Sequence, residues 1–331
     1  MEAPTFTDYV ALIFNLFERF VQANPMWASQ RFTYQQREMI VFFMIMQQRH
    51  INTFKAQYRW LTSHADECRH LGWETVPDRT TLSRRYKALY SLLQAFVLFV
   101  GQDAEPLDER FESHDLYEDK SLFKAQGPVW HQSDRQAGRI PEKLRNLDTD
   151  ATWSKSGYHG WVYGYSMHLT DNQAGLPKLV QIETAAYSEA QALQDKEAVI
   201  VHALQPDTLC GDNGYTAARR IRQWAAQGVT LLTPAFKWVN GRYAQAYHTF
   251  IQLLPNAALL QARRTAIEPV FDLMAKLVGA DDNHKQLPVQ GLPNVRTCLA
   301  LATLSLQVAM TINSIWALPL RSISYFQGAF T

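Results

Sequence analysis

The sequence has little of what would cross-link, anchor or broadly charge a chain. Three cysteines in 331 residues, Cys68, Cys210 and Cys298, stand singly and far apart, without the paired spacing of a zinc knuckle or the even count of a disulfide framework. They read as reduced core thiols. Neither sign of charge dominates: 32 Lys and Arg against 31 Asp and Glu leave a net charge of +1, which excludes coating of a polyanion by bulk charge. Long apolar runs are scarce. The N-terminal stretch carries Glu2, Asp8, Glu18 and Arg19 and spaces Val10, Phe14 and Phe17 as a helix does, without the basic start or small-residue cleavage site of a signal peptide. Leu301 to Leu320 is interrupted by Gln307, Thr311 and Asn313, and reads as a buried helix rather than a membrane span. A cytoplasmic protein is expected, without membrane partners. Absent too are the GxxxxGK[ST] phosphate loop, the GxGxxG turn, the GxSxG elbow and the HExxH pair, so four common chemistries lose their marker.

What is present is a globular composition, 47% apolar and 19% charged, with length for two domains. Charge is unevenly spread. Residues 1 to 100 hold 11 basic and 8 acidic side chains, residues 101 to 170 hold 8 and 12, and residues 171 to 331 hold 13 and 11. An acidic centre between mildly basic flanks suits a cation-dependent enzyme that acts on a polyanion.

The first hundred residues follow helical spacing, for example from Tyr34 to Met46 and from Phe54 to Leu61. In VPDRTTLSRRYKALYSLLQAF, Pro77 breaks the chain and Asp78 or Thr80 can cap a helix. Leu82, Tyr86, Leu89 and Leu93 form its apolar stripe, and Arg79, Arg84, Arg85 and Lys87 face elsewhere. This is either a recognition helix paired with Phe54 to Leu61 in a helix-turn-helix unit, or a surface helix with solvated arginines. Gly101 to Glu112 reads as a linker. Beyond it, Trp161 to Leu169 and Leu179 to Ile182 predict a hairpin, followed by a helix over 188–204, a short strand at 208–211, a helix over 217–227 and a strand at 229–232. An antiparallel hairpin followed by alternating strands and helices predicts an α/β domain with a mixed sheet. Long helices over 257–279 and about 293–316 close the chain.

Three carboxylates occupy telling places. Asp119 lies on or beside the first strand, Asp212 ends the strand TLCGD, and Glu268 sits on the long helix where Arg264, Glu268, Asp272 and Lys276 recur on one face. Ligands gather at the carboxyl ends of strands in open α/β sheets, and such acids can hold two Mg²⁺ or Mn²⁺ ions for phosphoryl transfer. Arg264 and Lys276 could then grip phosphate oxygens. Read blandly, Asp212 forms a turn and the helical ladder is a solvated face stabilised by ion pairs.

The blocks DKSLFKAQGPVWH, LDTDATWSKSGYHGWVYGYSMHL, CGDNGYTA and RRTAIEPVFDLMAKL, in that order, resemble the DDE transposases of bacterial insertion sequences, in the group with a Tyr-Arg-Glu-Lys signature. The likeness spans about residues 75 to 318. It implies an RNase H-like mixed sheet flanked by helices over 106–331, with an insertion at about 235–256, preceded by an all-α helix-turn-helix-like DNA-binding domain over 1–105. It further implies two divalent ions, Mg²⁺ or Mn²⁺, held by catalytic Asp119, Asp212 and Glu268. The partners implied are double-stranded terminal inverted repeats and target DNA, with a homodimer on nucleoid DNA. Arg84, Arg85, Lys87, Arg264 and Lys276 would contact DNA, as would Trp130 and His131, which match the family's Trp-His pair. Trp238, in the insertion, would stack on a flipped base or pack in the core. Asp148 and Asp150 match a recurrent acid pair read here as capping and ordering the hairpin. The sequence departs from the pattern at three places: Asp119 stands between Glu118 and Lys120, with Asp115 as a rival; Gln261 replaces the signature tyrosine; and Lys276 falls one residue past the expected lysine at Ala275. A catalytically inactive, DNA-binding descendant is the alternative these departures support.

Overall fold

The structure is a computed structural model that describes residues 3–28, 32–64, 71–157, 160–234, 242–280 and 285–331. Trp238, Cys68 and His70 lie outside the described residues. Among the described residues, five α-helices come first: α1 (Phe6–Ala23), α2 (Gln36–Gln48), α3 (Phe54–Ser63), α4 (Arg79–Ala88) and α5 (Tyr90–Asp103). Asp78 caps α4, its carboxylate accepting from the Thr81 amide at 2.8 Å. Helices α3 and α4 pack on each other. Fifteen residues separate them in the sequence, of which 65–70 lie outside the described residues, a longer connection than the three or four residues of a helix-turn-helix.

One mixed sheet follows, built from β1 (Asp115–Lys124), β2 (Thr152–Ser156), β3 (Gly160–Asn172), β4 (Pro177–Thr184), β5 (Thr208–Cys210) and β6 (Thr230–Leu232). The order is β2-β3-β1-β5-β6, with β4 also paired to β3. Strand β3 is long enough to pair β2 through its first half and β4 through its second, as the predicted hairpin requires. The β1–β3 and β3–β4 pairs are antiparallel and the β1–β5 and β5–β6 pairs parallel, giving the expected RNase H-like mixed sheet. Helices α6 (Gln132–Gln136), α7 (Glu189–Val199), α8 (Ala218–Ala225), α9 (Arg242–Ile251), α10 (Leu254–Leu277), α11 (Leu292–Ile315) and α12 (Ser324–Phe330) flank it.

Helix α11 is the centre of the core. It is long and apolar enough to cross a membrane, with mean hydropathy 1.6, yet 89% of that window is buried within the protein. The amide nitrogens of Gln307 and Asn313, which interrupt its apolar run, find partners inside, while their buried amide oxygens have none among the described residues. Gln307 Nε2 donates to Val97 O and Pro177 O, both at 2.8 Å, and Asn313 Nδ2 donates to the carbonyls of Pro319, Leu320 and Ser322. Helices α1, α2, α4 and α5 pack on α11, as does β4. Asp148 and Asp150 finish this helix at its start, accepting from the amides of Gly291 at 3.0 Å and Leu292 at 2.9 Å, which is the capping role expected of them.

The segment read as a linker is ordered instead. Gly101 and Asp103 belong to α5, and the buried ammonium of Lys178 donates to Gly101 O at 2.6 Å, Phe111 O at 2.7 Å and Glu105 Oε1 at 2.8 Å, tying the stretch to β4. Polar composition suggested a linker because a single buried lysine on a distant strand leaves no local mark.

Gly164, in the middle of β3, faces Lys124 across the ladder, and a Cβ there would overlap the carbonyl oxygen of Phe123. Gly164→Ala should cost about 3 kcal/mol in urea unfolding, the range of an overpacked core, and a loss below about 0.5 kcal/mol would show that the strand gives way freely.

Candidate functional site

The parallel pairing of β1 with β5 sets Tyr117 against Cys210; two residues on in both strands stand Asp119 and Asp212. Their 93-residue separation in the sequence is therefore the register of the sheet. Strand β5 stops at Cys210, while β1 continues to Lys124, so the chain beyond Asp119 opens onto a cleft of about 510 Å³. Asp119, Asp212 and Glu189 line it, together with Lys120, Ser154 and Lys155. Asp115, the rival first acid, sits four residues earlier beside Thr208 and is not among the described residues that line this cleft.

Each acid has a distinct setting. Asp119 Oδ2 accepts from Arg263 Nη1 at 2.6 Å, and its Oδ1 from the Lys120 amide at 2.8 Å. Burial pushes the Asp119 carboxyl up from its ordinary range, Arg263 opposes this, and the nearby charge of Asp212 adds to it. Asp212 Oδ1 accepts from the Gly214 amide at 2.7 Å and so closes the tight turn after β5. Its expected turn role and its place in the cleft hold together. Glu189, the first residue of α7, is pushed up to about 7, first by burial and then by Asp212, with Lys120 opposing and Asp119 adding. Lys120 Nζ donates to Ala185 O at 3.1 Å and Tyr187 O at 2.8 Å; burial lowers its pKa, while Glu189 and Asp212 oppose that.

The chemistry of this donor set fits a hard divalent cation: three carboxylates share one cleft, and each of their charges raises the cost of the next. Asp119 is drawn to Arg263, and among the described residues no three His, Cys, Asp or Glu side chains stand at ligating spacing.

Several expected site residues lie elsewhere. Glu268 is exposed on the outer face of α10, 3.7 Å from Arg264, and is not among the described residues lining the cleft. The reason is helical geometry. Arg263 faces Asp119, and five residues at about 100° each carry Glu268 roughly 140° round the helix. Arg264 and Lys276 share that outer face, so the ladder is the solvated one, and neither reaches the cleft. Arg84 and Lys87 are exposed on α4. Arg85 is not available to a partner: it donates to Tyr34 O at 3.1 Å and Gln36 Oε1 at 3.0 Å, and its guanidinium lies 3.9 Å from the Phe32 ring centroid. Trp130 is partly buried and braces a loop, its Nε1 donating to Arg139 O at 3.0 Å and its own carbonyl accepting from Trp153 Nε1 at 2.8 Å. His131 is exposed at the start of α6. Sequence reasoning missed Glu189, Lys155 and Arg263. For Glu189 the available signal was Ser188, whose hydroxyl caps α7 and places the next residue at the helix start.

A carboxyl raised when folded binds its proton more tightly in the native state, so its stabilising contribution is present below about pH 4.5 and lost as pH rises through about 7. Glu189→Gln should therefore gain stability relative to the unsubstituted protein between pH 4.5 and pH 8, by about 1–2 kcal/mol after allowance for solvent screening. Urea unfolding in EDTA at the two pH values measures this, and a difference independent of pH would contradict it.

Residues 136–285, which include Asp212, Glu189, Arg263 and Glu268, match the family described as a transposase DDE domain. No curated protein matches the chain. Among solved structures the chain is similar to that described as the crystal structure of the Mos1 strand transfer complex, at 10% identity over 80% of this chain and 84% of that one, with a TM-score of 0.22.

Proposed function

We propose that this protein is a DNA transposase that binds the inverted repeats at the ends of its element, hydrolyses a phosphodiester at those ends and joins the freed 3′-hydroxyl to target DNA. The observation that carries the reading is the pair Asp119, on β1, and Asp212, two residues past the end of the adjacent parallel strand β5, in a cleft that Lys120 and Lys155 also line. A cleft that holds both carboxylates and ammonium groups suits a phosphodiester whose non-bridging oxygens meet the lysines while the scissile phosphorus sits towards the carboxylates. The match of residues 136–285 to a transposase DDE domain supports the same reaction class.

Asp119 and Asp212 would hold Mg²⁺ or Mn²⁺. When bound, two such ions supply activation of the attacking oxygen and stabilisation of the leaving one. The chain's own residues do the rest. Lys120 is held at the cleft by two carbonyls, and Lys155 is exposed on β2; both would meet the DNA backbone beside the cut. Arg263 pairs with Asp119 and opposes the burial that raises its carboxyl. Outside the cleft, Arg79, Arg84 and Lys87 on α4 offer phosphate contacts at the N-terminal helices, where net basic charge collects. Two element ends are joined to one target, so the reading includes a homodimer on DNA, acting in the cytoplasm.

Incubated with Mg²⁺ or Mn²⁺ and a plasmid carrying the inverted repeats that flank its gene, the purified protein should nick at the repeat ends. Asp212→Asn should lower the rate by roughly 10³-fold or more and leave gel-shift affinity for the repeats unchanged. Nicking by Asp119→Asn and Asp212→Asn at the rate of the unsubstituted protein would overturn the assignment. The placement of Glu268 outside the cleft favours a second reading, a DNA-binding descendant without turnover; binding to the repeats with no cation-dependent nicking by the unsubstituted protein would establish it.

A further inference from the structure

We infer that the cavity between the N-terminal helices and the start of α11 is a binding site for an unpaired nucleobase that carries an exocyclic amino group. The site lies apart from the acid cleft and needs no cation.

The cavity has a volume of about 260 Å³ and is lined from α2, α3, α4, the segment 288–290 and the start of α11. No Asp, Glu, Lys, Arg or His stands among its described lining residues, so the part of a ligand that it encloses is uncharged. Phe43 and Phe54 each meet the Tyr86 ring edge to face, with centroids 4.8 and 5.6 Å apart. These three rings give the cavity an aromatic wall against which a planar heterocycle packs.

The polar part of the lining is carboxamide. Gln47 Nε2 donates to Cys298 O at 2.9 Å, Gln57 Nε2 to Ile51 O at 2.9 Å and Asn294 Nδ2 to Gln290 O at 2.7 Å. Each nitrogen is thereby engaged, while the oxygen of the same amide is buried without a hydrogen-bond partner among the described residues. Gln47 and Gln57 are only 6% and 4% exposed. Three acceptors without donors, on side chains that line one neutral cavity, suit a ligand that donates N–H bonds and is otherwise apolar. Adenine, cytosine and guanine each carry an exocyclic amino group beside a π face, and thymine has none. The surface beside the cavity is basic. Lys55 follows Phe54 on α3 and is exposed, and Gln290 Nε2 donates to Asn146 O at 2.6 Å, which sets the loop bearing exposed Lys143 and Arg145 next to the lining. Phosphates on either side of an inserted base would meet these side chains, so the occupant is a base within a strand.

Ligand-observed NMR titrations of the full-length protein in EDTA, which keeps cations out of the readout, test this without reference to turnover. Deoxyadenosine should bind about tenfold more tightly than thymidine, and a short single strand of oligodeoxyadenylate about tenfold more tightly than oligothymidylate of the same length. Gln57→Met, which keeps the side-chain size and removes the acceptor, should cut both preferences to about threefold or less. Phe54→Leu, at a partly buried position, should weaken deoxyadenosine binding by about fivefold, and it carries the test if Gln57→Met fails to fold by circular dichroism. Lys55→Ala combined with Arg145→Ala should weaken the oligodeoxyadenylate and leave deoxyadenosine within about twofold. Equal binding of deoxyadenosine and thymidine, no binding of any of the four probes, or a preference that survives in both Gln57→Met and Phe54→Leu at full strength overturns the site. A nucleoside preference with no matching preference between the strands overturns the strand as the source and assigns the cavity to free nucleosides. None of these outcomes bears on the acid cleft, so the site and the proposed reaction stand or fall separately.

Discussion

The registration of β1 governs the molecule. This strand pairs antiparallel with β3 along nine residues and parallel with β5 along three, and the two ladders together leave its second half uncovered on the β5 side. A slip of one residue against β3 would exchange the faces of Glu118 and Asp119. Asp119 would then lose Arg263, and Glu118 would bring an unpaired charge to the helix α10 side. The register is thus held by two different charge pairs on the two faces of one strand, Glu118 with Lys196 and Asp119 with Arg263.

These pairs are not equivalent. Glu118 and Lys196 are both almost wholly removed from solvent, and burial pushes the carboxyl up and the ammonium down while their mutual attraction opposes both. Such a pair adds little net stability over an apolar pair of similar size, but removing one partner strands the other and costs about 3–5 kcal/mol. Its worth is in specifying where α7 sits. Arg263 and Asp119 retain more solvent, with side chains 12% and 16% exposed, and their contact lies at the cleft. Glu118 on one face of β1 sets where α7 sits, and Asp119 on the other face meets Arg263 at the cleft.

Much of this was legible in the sequence. Alternating large side chains over 161–169 gave the hairpin because β3 is buried along both faces of its second half, and Gly228 and Pro234 ended elements through their own backbone preferences. Asp119 and Asp212 could be found because strand ends and an Asp-Asn-Gly turn are local signals. What was not legible depends on contacts far apart in the chain. Arg85 looks like its neighbours Arg84 and Lys87 until α2 and Phe32 close over it, and Lys178 looks like a surface lysine until three oxygens from 77, 73 and 67 residues away surround it. Asp171 is the limiting case: fully buried with neither carboxylate oxygen bonded, it is pushed well above the ordinary carboxylate range by that burial, and nothing in its local sequence announces it.

The helix α10 shows why a motif can be right in order and still misassign a side chain. Along RRTAIEPVFDLMAKLV the spacing of Ile267, Phe271, Met274 and Val278 marks an apolar stripe, and all four are buried. A helix with one apolar stripe has only two flanks from which a polar side chain can reach a neighbouring strand, and its rotation decides which flank faces inward. Here the stripe turns the flank bearing Arg263 to β1, so the face holding Arg264, Glu268 and Lys276 is left in solvent. The same apolar burial that makes the helix legible also sets this rotation, but it does so through packing on β1 and β3, which spacing along one helix does not encode. Near-neutral total charge hides the outcome in the same way. The acids that meet in the cleft come from β1, from the start of α7 and from the end of β5, and only the fold sums them in one place.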